Sequence, residues 1–411
     1  MNAVLLLMGL LVLSYLGSFL VSGRTMRGAG LPSGVEYVAL GFVLGPGALE
    51  IVGRETVTAF EPVVQVALGW LAFGRGLDYG FTGERRLRAG SLALGTFSSA
   101  LSGGAVAAFT WFALGRLHVS LGSTERLLLA GGAGTACSET TRHAVRWVIE
   151  RHNAKGPLAE RLDEISHASD LLPLLALAVL FAMEPVSNFA LPHPLHVWPA
   201  ITVGLGLLLG AGAALLVRSE LRLEDTWAVL FGVSLVAIGA TARLALSALT
   251  ACFFMGIATS ALSRHRRELR SMVTPTERPV LLPALLLAGA RVDFRATPAL
   301  GWIAAAAIFA RVVAKILVGW SLAIGSPSVR KAGPLVGLAL LSSGSLAMSI
   351  GLVFALRFPG AVGDTVLAVA VLSATVGEFV APVRLRRALQ SAGEIDSTAG
   401  PSPAAPTEVS A

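Results

Sequence analysis

A few ionisable side chains stand among apolar residues, and their types suit reversible binding of a proton or a small cation. Asp170 lies in Ser166-His167-Ala168-Ser169-Asp170-Leu171-Leu172-Pro173, ahead of the apolar run Leu174–Met183. Lys315 lies in Arg311-Val312-Val313-Ala314-Lys315-Ile316-Leu317-Val318-Gly319. Glu139 follows Gly131-Gly132-Ala133-Gly134-Thr135-Ala136-Cys137-Ser138 and precedes Thr140-Thr141-Arg142. Carboxylate oxygen suits hard cations, and an ionisable group inside a membrane is costly enough to read as functional.

Each residue also has a plainer account. Asp170 sits about 7 residues, or ~10 Å, from a cytoplasmic helix end, where water can reach. Lys315 lies at similar depth, which suggests that it balances carboxylates there, or it could snorkel to the interface. It shares a helix face with Arg311, four residues earlier, and Arg311, being deeper, reads as a brace. Glu139 could serve the site or pair locally with Arg142. Asp163, His167 and Asp170 recur at helical spacing as one polar stripe. His167 titrates near neutrality, although interfacial solvation explains it more simply. Glu61 and Glu378 are gates or surface charges.

The elements that must hold these groups are membrane helices. Of the 411 residues 54% are hydrophobic and 14% charged, against about 25% charged in soluble domains. Segments are expected near 4–22, 35–52, 57–79, 89–115, 125–149, 163–184, 196–217, 226–242, 244–262, 279–292, 298–324, 333–356 and 362–384. The first lacks a basic residue before its apolar run, unlike a signal peptide. With the N-terminus outside, cytoplasmic loops hold roughly 21 basic residues and outer loops 7, a positive-inside bias that supports an odd count near thirteen and a cytoplasmic C-terminus. The net charge of +7 is thereby spread over helix flanks, which speaks against nucleic acid. Cys137 and Cys252 fall in apolar segments and make neither a disulfide framework nor a metal site. Residues 1–390 read as one transmembrane domain and 391–411, rich in Ser, Pro and Ala, as a disordered cytoplasmic tail. No P-loop, His-Glu-x-x-His or Gly-x-Ser-x-Gly motif is present, so no enzyme and no cofactor are expected.

Two segments are interrupted. The fifth carries the Gly/Ser/Thr run through Glu139, and the twelfth carries Leu341-Ser342-Ser343-Gly344-Ser345. Seven crossings separate them, so they run in opposite directions. Irregular backbone at depth must be buried or line a cavity, and a pair of opposed interrupted helices marks an inverted-repeat transporter. Small residues packing helices closely are the alternative for either run alone.

Four further stretches carry a resemblance. Gly41-Phe42-Val43-Leu44-Gly45-Pro46-Gly47-Ala48-Leu49 is similar to an early Gly-x-x-x-Gly-Pro signature of the monovalent cation:proton antiporter superfamily, nearest its Kef-type and bacterial sodium/proton exchangers. Ala251-Cys252-Phe253-Phe254-Met255-Gly256 resembles that family's Ala-Phe-x-Ala-Gly helix, Lys315–Gly319 its Lys-x-x-Gly region, and Gly377-Glu378-Phe379-Val380-Ala381-Pro382 with Arg386-Arg387-Ala388-Leu389 its closing helix. The likeness covers about residues 5–393. It implies an all-α polytopic fold of about 13 transmembrane helices, with inverted repeats and two broken crossing helices. Segments four to six and eleven to thirteen would form a core, and the rest a dimerisation domain.

The family's acidic pair falls on Ser169-Asp170, with Ser in place of Asn or Asp. By resemblance Asp170 binds the proton or the metal ion, Na⁺ or K⁺; Ser169 and Lys315 complete the site; Glu139, Thr140, Thr141, Arg142, Arg311 and His167 support it. The implied function is elevator-type exchange of a monovalent cation for protons by a homodimer in the inner membrane, in contact with lipid. The uncharged Ser169, with its Oγ as a cation ligand, implies one-for-one, electroneutral exchange; Glu139 as a second carboxylate, or proton release by Lys315, would make it electrogenic. The alternatives are a sodium-coupled organic-anion symporter of related fold and a non-transporting membrane sensor subunit.

Overall fold

The computed structural model describes residues 34–395 apart from 47, 80–88, 118, 120, 185–194, 218–222, 293, 295–298 and 326. The expected segment 4–22 and residues 396–411 lie outside the described residues. Among the latter, every regular element is helical. Each expected segment from 35 to 384 coincides with a helix or a helix pair. These are α1 (Val35–Leu44), α2 (Glu61–Asp78), α3 (Ala89–Arg116), α4 (Ser123–Ser138) with α5 (Arg142–Arg151), and α6 (Pro157–Ala168) with α7 (Leu171–Ala182). Then come α8 (Val197–Leu216), α9 (Leu223–Arg243), α10 (Ala248–Leu262), α11 (Arg266–Arg291) and α12 (Leu300–Gly325). A 3₁₀ helix (Pro334–Leu340), α13 (Ser345–Arg357) and α14 (Ala361–Ser391) complete them. By length and composition, six described spans can cross a membrane, or seven if the 3₁₀ helix and α13, bent by 59°, count as one.

The surface has the inverted polarity of a membrane protein. On α3 the small and polar residues Ser91, Gly95, Ser98, Ser99 and Ser102 recur at helical spacing and face inward. Phe97, Phe109, Trp111 and Phe112 of the same helix are exposed. Such a belt of bare aromatic side chains on a soluble protein would be an aggregation liability. Facing lipid, it leaves the small residues to pack helix against helix. The chain is a multi-pass membrane protein.

The helices fall into two groups. α3 packs on α4, α6 and α12; α14 packs on α4, α13 and the 3₁₀ helix; these form a core. α10 packs on α2 and α8, and α11 on α1 and α2, with α9 alongside; these form a scaffold. The groups meet where α7 touches α8 and α10, and where α13 touches α2 and α11. Inside the scaffold, α2 and α10 cross at near-backbone contact. A Cβ at Gly76 would fall 2.1 Å from the Phe253 carbonyl oxygen, and one at Gly256 2.2 Å from that of Phe73.

Three boundaries depart from expectation. The eighth and ninth segments divide after Arg243, where Ala245 takes a left-handed φ of 55° and the next helix begins at Ala248. α11 begins at Arg266 instead of near 279 and runs through Pro275, Pro279 and Pro283. Prolines argue for a helix end, but these recur every fourth residue on one face and the helix continues past them. At the other end, α14 reaches Ser391 and the chain continues in contact with the core. The Glu394 carboxylate accepts from the N–H groups of Leu158 (2.7 Å) and Ala159 (2.9 Å) at the start of α6. These are orphan donors that any helix N-terminus must satisfy, and Glu394 satisfies two of them.

Candidate functional site

Both expected interruptions exist, and they cross. α4 stops at Ser138, and Glu139 (ψ 148°) and Thr141 (ψ 122°) are extended before α5 begins. On the other strand of the crossing, 341–344 separate the 3₁₀ helix from α13. The break in the fifth segment is shorter than its glycine run. Gly131, Gly132 and Gly134 stay helical, and each lies where a Cβ would strike a neighbour: Leu180, the Phe354 ring and the Gly103 carbonyl respectively. There the glycines serve close packing.

Each broken strand satisfies the other's backbone. Thr141 N–H donates to the Ser342 carbonyl at 3.0 Å, and Thr140 Oγ1 donates to the Leu340 carbonyl at 3.0 Å. Glu139 Oε2 accepts from the N–H groups of Gly344 (3.0 Å) and Ala347 (2.9 Å), capping α13 with a charge at its positive end. Contact is closest at Gly344, where a Cβ would stand 2.4 Å from Thr141 Oγ1. The expected local pair of Glu139 with Arg142 does not form. Arg142 instead takes Asp163 in a fork of 2.9 and 2.7 Å.

Two cations from α12 brace this crossing. Arg311 donates to the Glu139 carbonyl (2.7 Å), to Ser373 Oγ (2.6 Å) and to Ser343 Oγ. Lys315 is fully buried, so it does not snorkel; its ammonium donates to Thr140 Oγ1 (2.7 Å) and Ser98 Oγ (3.2 Å). Lys315 thus holds hydroxyls rather than the carboxylates expected of it.

Asp170 sits at the joint between α6 and α7. Pro173 has no N–H, so the Ser169 carbonyl lacks its intrahelical donor; Ser99 Oγ supplies one at 2.9 Å. The Ala168 carbonyl accepts from Tyr79 Oη at 3.0 Å. Ser169 Oγ accepts from Thr140 N–H at 3.1 Å and lies 2.7 Å from the Ser166 carbonyl and 3.1 Å from that of Thr140. Its hydroxyl is occupied by backbone and ties the joint to the first break. The stripe expected from Asp163 to Asp170 is divided here. Asp163 is bound to Arg142 and Arg146, while His167 Nε2 lies 3.1 Å from the Asp78 carbonyl and its ring 4.9 Å from that of Tyr79.

The cation beside Asp170 is one that sequence reasoning missed. Arg75 Nη1, from α2 of the scaffold, stands 3.6 Å from Asp170 Oδ2, and Arg75 Nη2 donates to Ser345 Oγ, at the start of α13, at 3.2 Å. Both side chains are almost wholly buried, at 6% and 4% exposure. Asp170 Oδ1, Arg75 Nε and Glu139 Oε1 are buried with no hydrogen-bond partner among the described residues. The available signal was an arginine between two glycines, Gly74-Arg75-Gly76, inside an apolar run. Glu277 was missed as well, because it was assigned to a loop; a Cβ at Gly74 would fall 2.2 Å from its Oε1. Ser98 and Ser99 were legible only as a polar stripe on an apolar helix.

No protein-family model matches the sequence, and no curated protein matches it. Solved structures do. The sodium proton antiporter MjNhaP1 from Methanocaldococcus jannaschii at pH 8 superposes with a TM-score of 0.71 at 14% identity, covering 95% of this chain and 99% of that one. An electron-microscopy structure of the same antiporter gives 0.68 at 14% identity, over 97% and 99%. The chain therefore has the fold of a sodium/proton antiporter, with two broken helices crossing beside a buried aspartate.

Proposed function

We propose that this protein exchanges a monovalent cation, Na⁺ or K⁺, for protons, and that Asp170 is the carboxylate both ligands share. One observation carries the reading: Asp170 is buried at the crossing, on the boundary between core and scaffold, with one oxygen unpartnered among the described residues. A carboxylate so placed binds a proton or a hard cation, and competition between them couples their movements. The antiporter fold supports this reading.

The core would carry Asp170 past the scaffold as one body, since Glu139, Thr140, Arg311 and Lys315 knit the crossing together. Ser169 sets the position of Asp170. Arg311 holds the broken backbone and Lys315 the Thr140 hydroxyl beside it. Ser169 carries no charge, so exchange through Asp170 is one-for-one and electroneutral. The test is cation-driven proton flux in vesicles holding the purified protein. Wild type should respond to Na⁺ or K⁺ with little dependence on imposed voltage, and Asp170→Asn should not respond. Wild-type flux in Asp170→Asn would refute the site; steep voltage dependence would refute the stoichiometry.

A further inference from the structure

An exchanger must not cross empty. If the ionised, unloaded carboxylate moved freely, protons would leak down their gradient and coupling would be lost. The site contains a group placed to prevent this.

Arg75 belongs to the scaffold. It is held in α2 between Gly74, which abuts Glu277 of α11, and Gly76, which lies against the α10 backbone. Asp170 belongs to the core, yet its nearest cation is this scaffold guanidinium, at 3.6 Å. The second arm of the same fork reaches Ser345 on α13, also of the core. One side chain therefore spans from the scaffold to both interrupted elements of the core. Among the described residues the contact to Asp170 is a single long one, and Arg75 Nε and Asp170 Oδ1 have no partner. A buried pair of this geometry recovers little of its desolvation cost, so a proton or cation that neutralises Asp170 can replace it. Glu277 and Asp78 of the scaffold also lie near enough to interact with Arg75, so the guanidinium keeps carboxyl neighbours after Asp170 leaves.

We propose that Arg75 is a tethered cation that pins the empty core to the scaffold by its contact with Asp170, and so makes movement conditional on a bound proton or metal ion. Protonation of Asp170 removes the negative charge, and a bound cation neutralises it. Either releases the tether, whereas the empty carboxylate does not. The inference rests on Asp170 being the carrier site proposed above.

The test is proton leak in cation-free vesicles. Wild type, Arg75→Gln and Arg75→Lys are reconstituted, and a pH gradient is imposed in choline buffer with a potassium-free charge shunt. Wild type should hold the gradient. Arg75→Gln should leak at least about tenfold faster, while still exchanging when Na⁺ or K⁺ is supplied. Arg75→Lys keeps the charge but lacks the planar fork that serves Asp170 and Ser345 together, so its leak should fall between the two. A merely structural arginine would lower exchange without opening a leak. Should Arg75→Gln fail to fold, Arg75→Lys decides alone, and wild-type tightness in it would overturn the proposal. Tight coupling in a folded Arg75→Gln overturns it also. Absence of cation-driven flux in wild type would instead defeat the exchange reading itself.

Discussion

The two aspartates of the interrupted α6–α7 span meet arginine in opposite ways. Asp163 receives forks from Arg142 (2.9 and 2.7 Å) and contacts from Arg146 (3.0 and 3.5 Å), and all three residues belong to the core. Among the described residues Asp170 receives one 3.6 Å contact, from an arginine of the scaffold, and leaves an oxygen unpartnered. Fork geometry within one body makes a brace. A single long contact between bodies makes an attachment that can be given up. Residue type says nothing of this difference; it lies in which helices the partners come from.

The comparison breaks first at Asp170. Asp170→Asn should lower exchange by at least about 100-fold while the chain still folds, because the tether is dispensable to the core. Flux assays with size-exclusion profiles check both halves. Asp163→Asn should do the reverse: it strands two guanidiniums and should cost roughly 2–4 kcal/mol, discounted for the partial exposure of Arg146. Thermal melts in detergent read this, and a melt equal to wild type would end the distinction between brace and tether. Gly344→Ala drives a methyl into Thr141 at the crossing and should cost about 1–3 kcal/mol with loss of flux. Lys331→Ala, at an exposed position, should shift stability by less than about 0.5 kcal/mol and leave exchange alone. Lys315→Ala, by contrast, should lower both, because Thr140 and Ser98 lose their donor in a dry interior.

Helix placement was legible because lipid demands long apolar runs. Opposed glycine- and serine-bearing segments announced the two breaks. Their exact extent was not legible: a glycine run lets a helix be interrupted and also lets helices touch, and only the neighbours decide. At Gly131, Gly132 and Gly134 they decide for contact. Asp170, Lys315, Arg311, Glu139 and Thr140 do converge on one region. What each binds was hidden, since local spacing suggested Arg142 for Glu139, and equal depth suggested a carboxylate for Lys315. The actual partners lie on distant elements. Arg75 and Glu277 escaped notice for a related reason: one sits at the end of a helix that reads as plain scaffold, the other beyond prolines that read as a helix stop.

The Glu139 cap bears on how the chain is made. Gly344 and Ala347, whose N–H groups it accepts, follow it by 205 and 208 positions. At about 5–20 residues per second, synthesis takes roughly 10–40 s to reach them. Throughout that interval the first repeat holds a carboxylate whose backbone N–H partners have not yet been translated. Arg311, which grips the Glu139 carbonyl, arrives 172 positions late. The first crossing strand therefore waits, unfinished, for the second repeat to be threaded through the membrane. Nascent chains halted before residue 344 should be those that the cell's membrane quality control recognises and degrades.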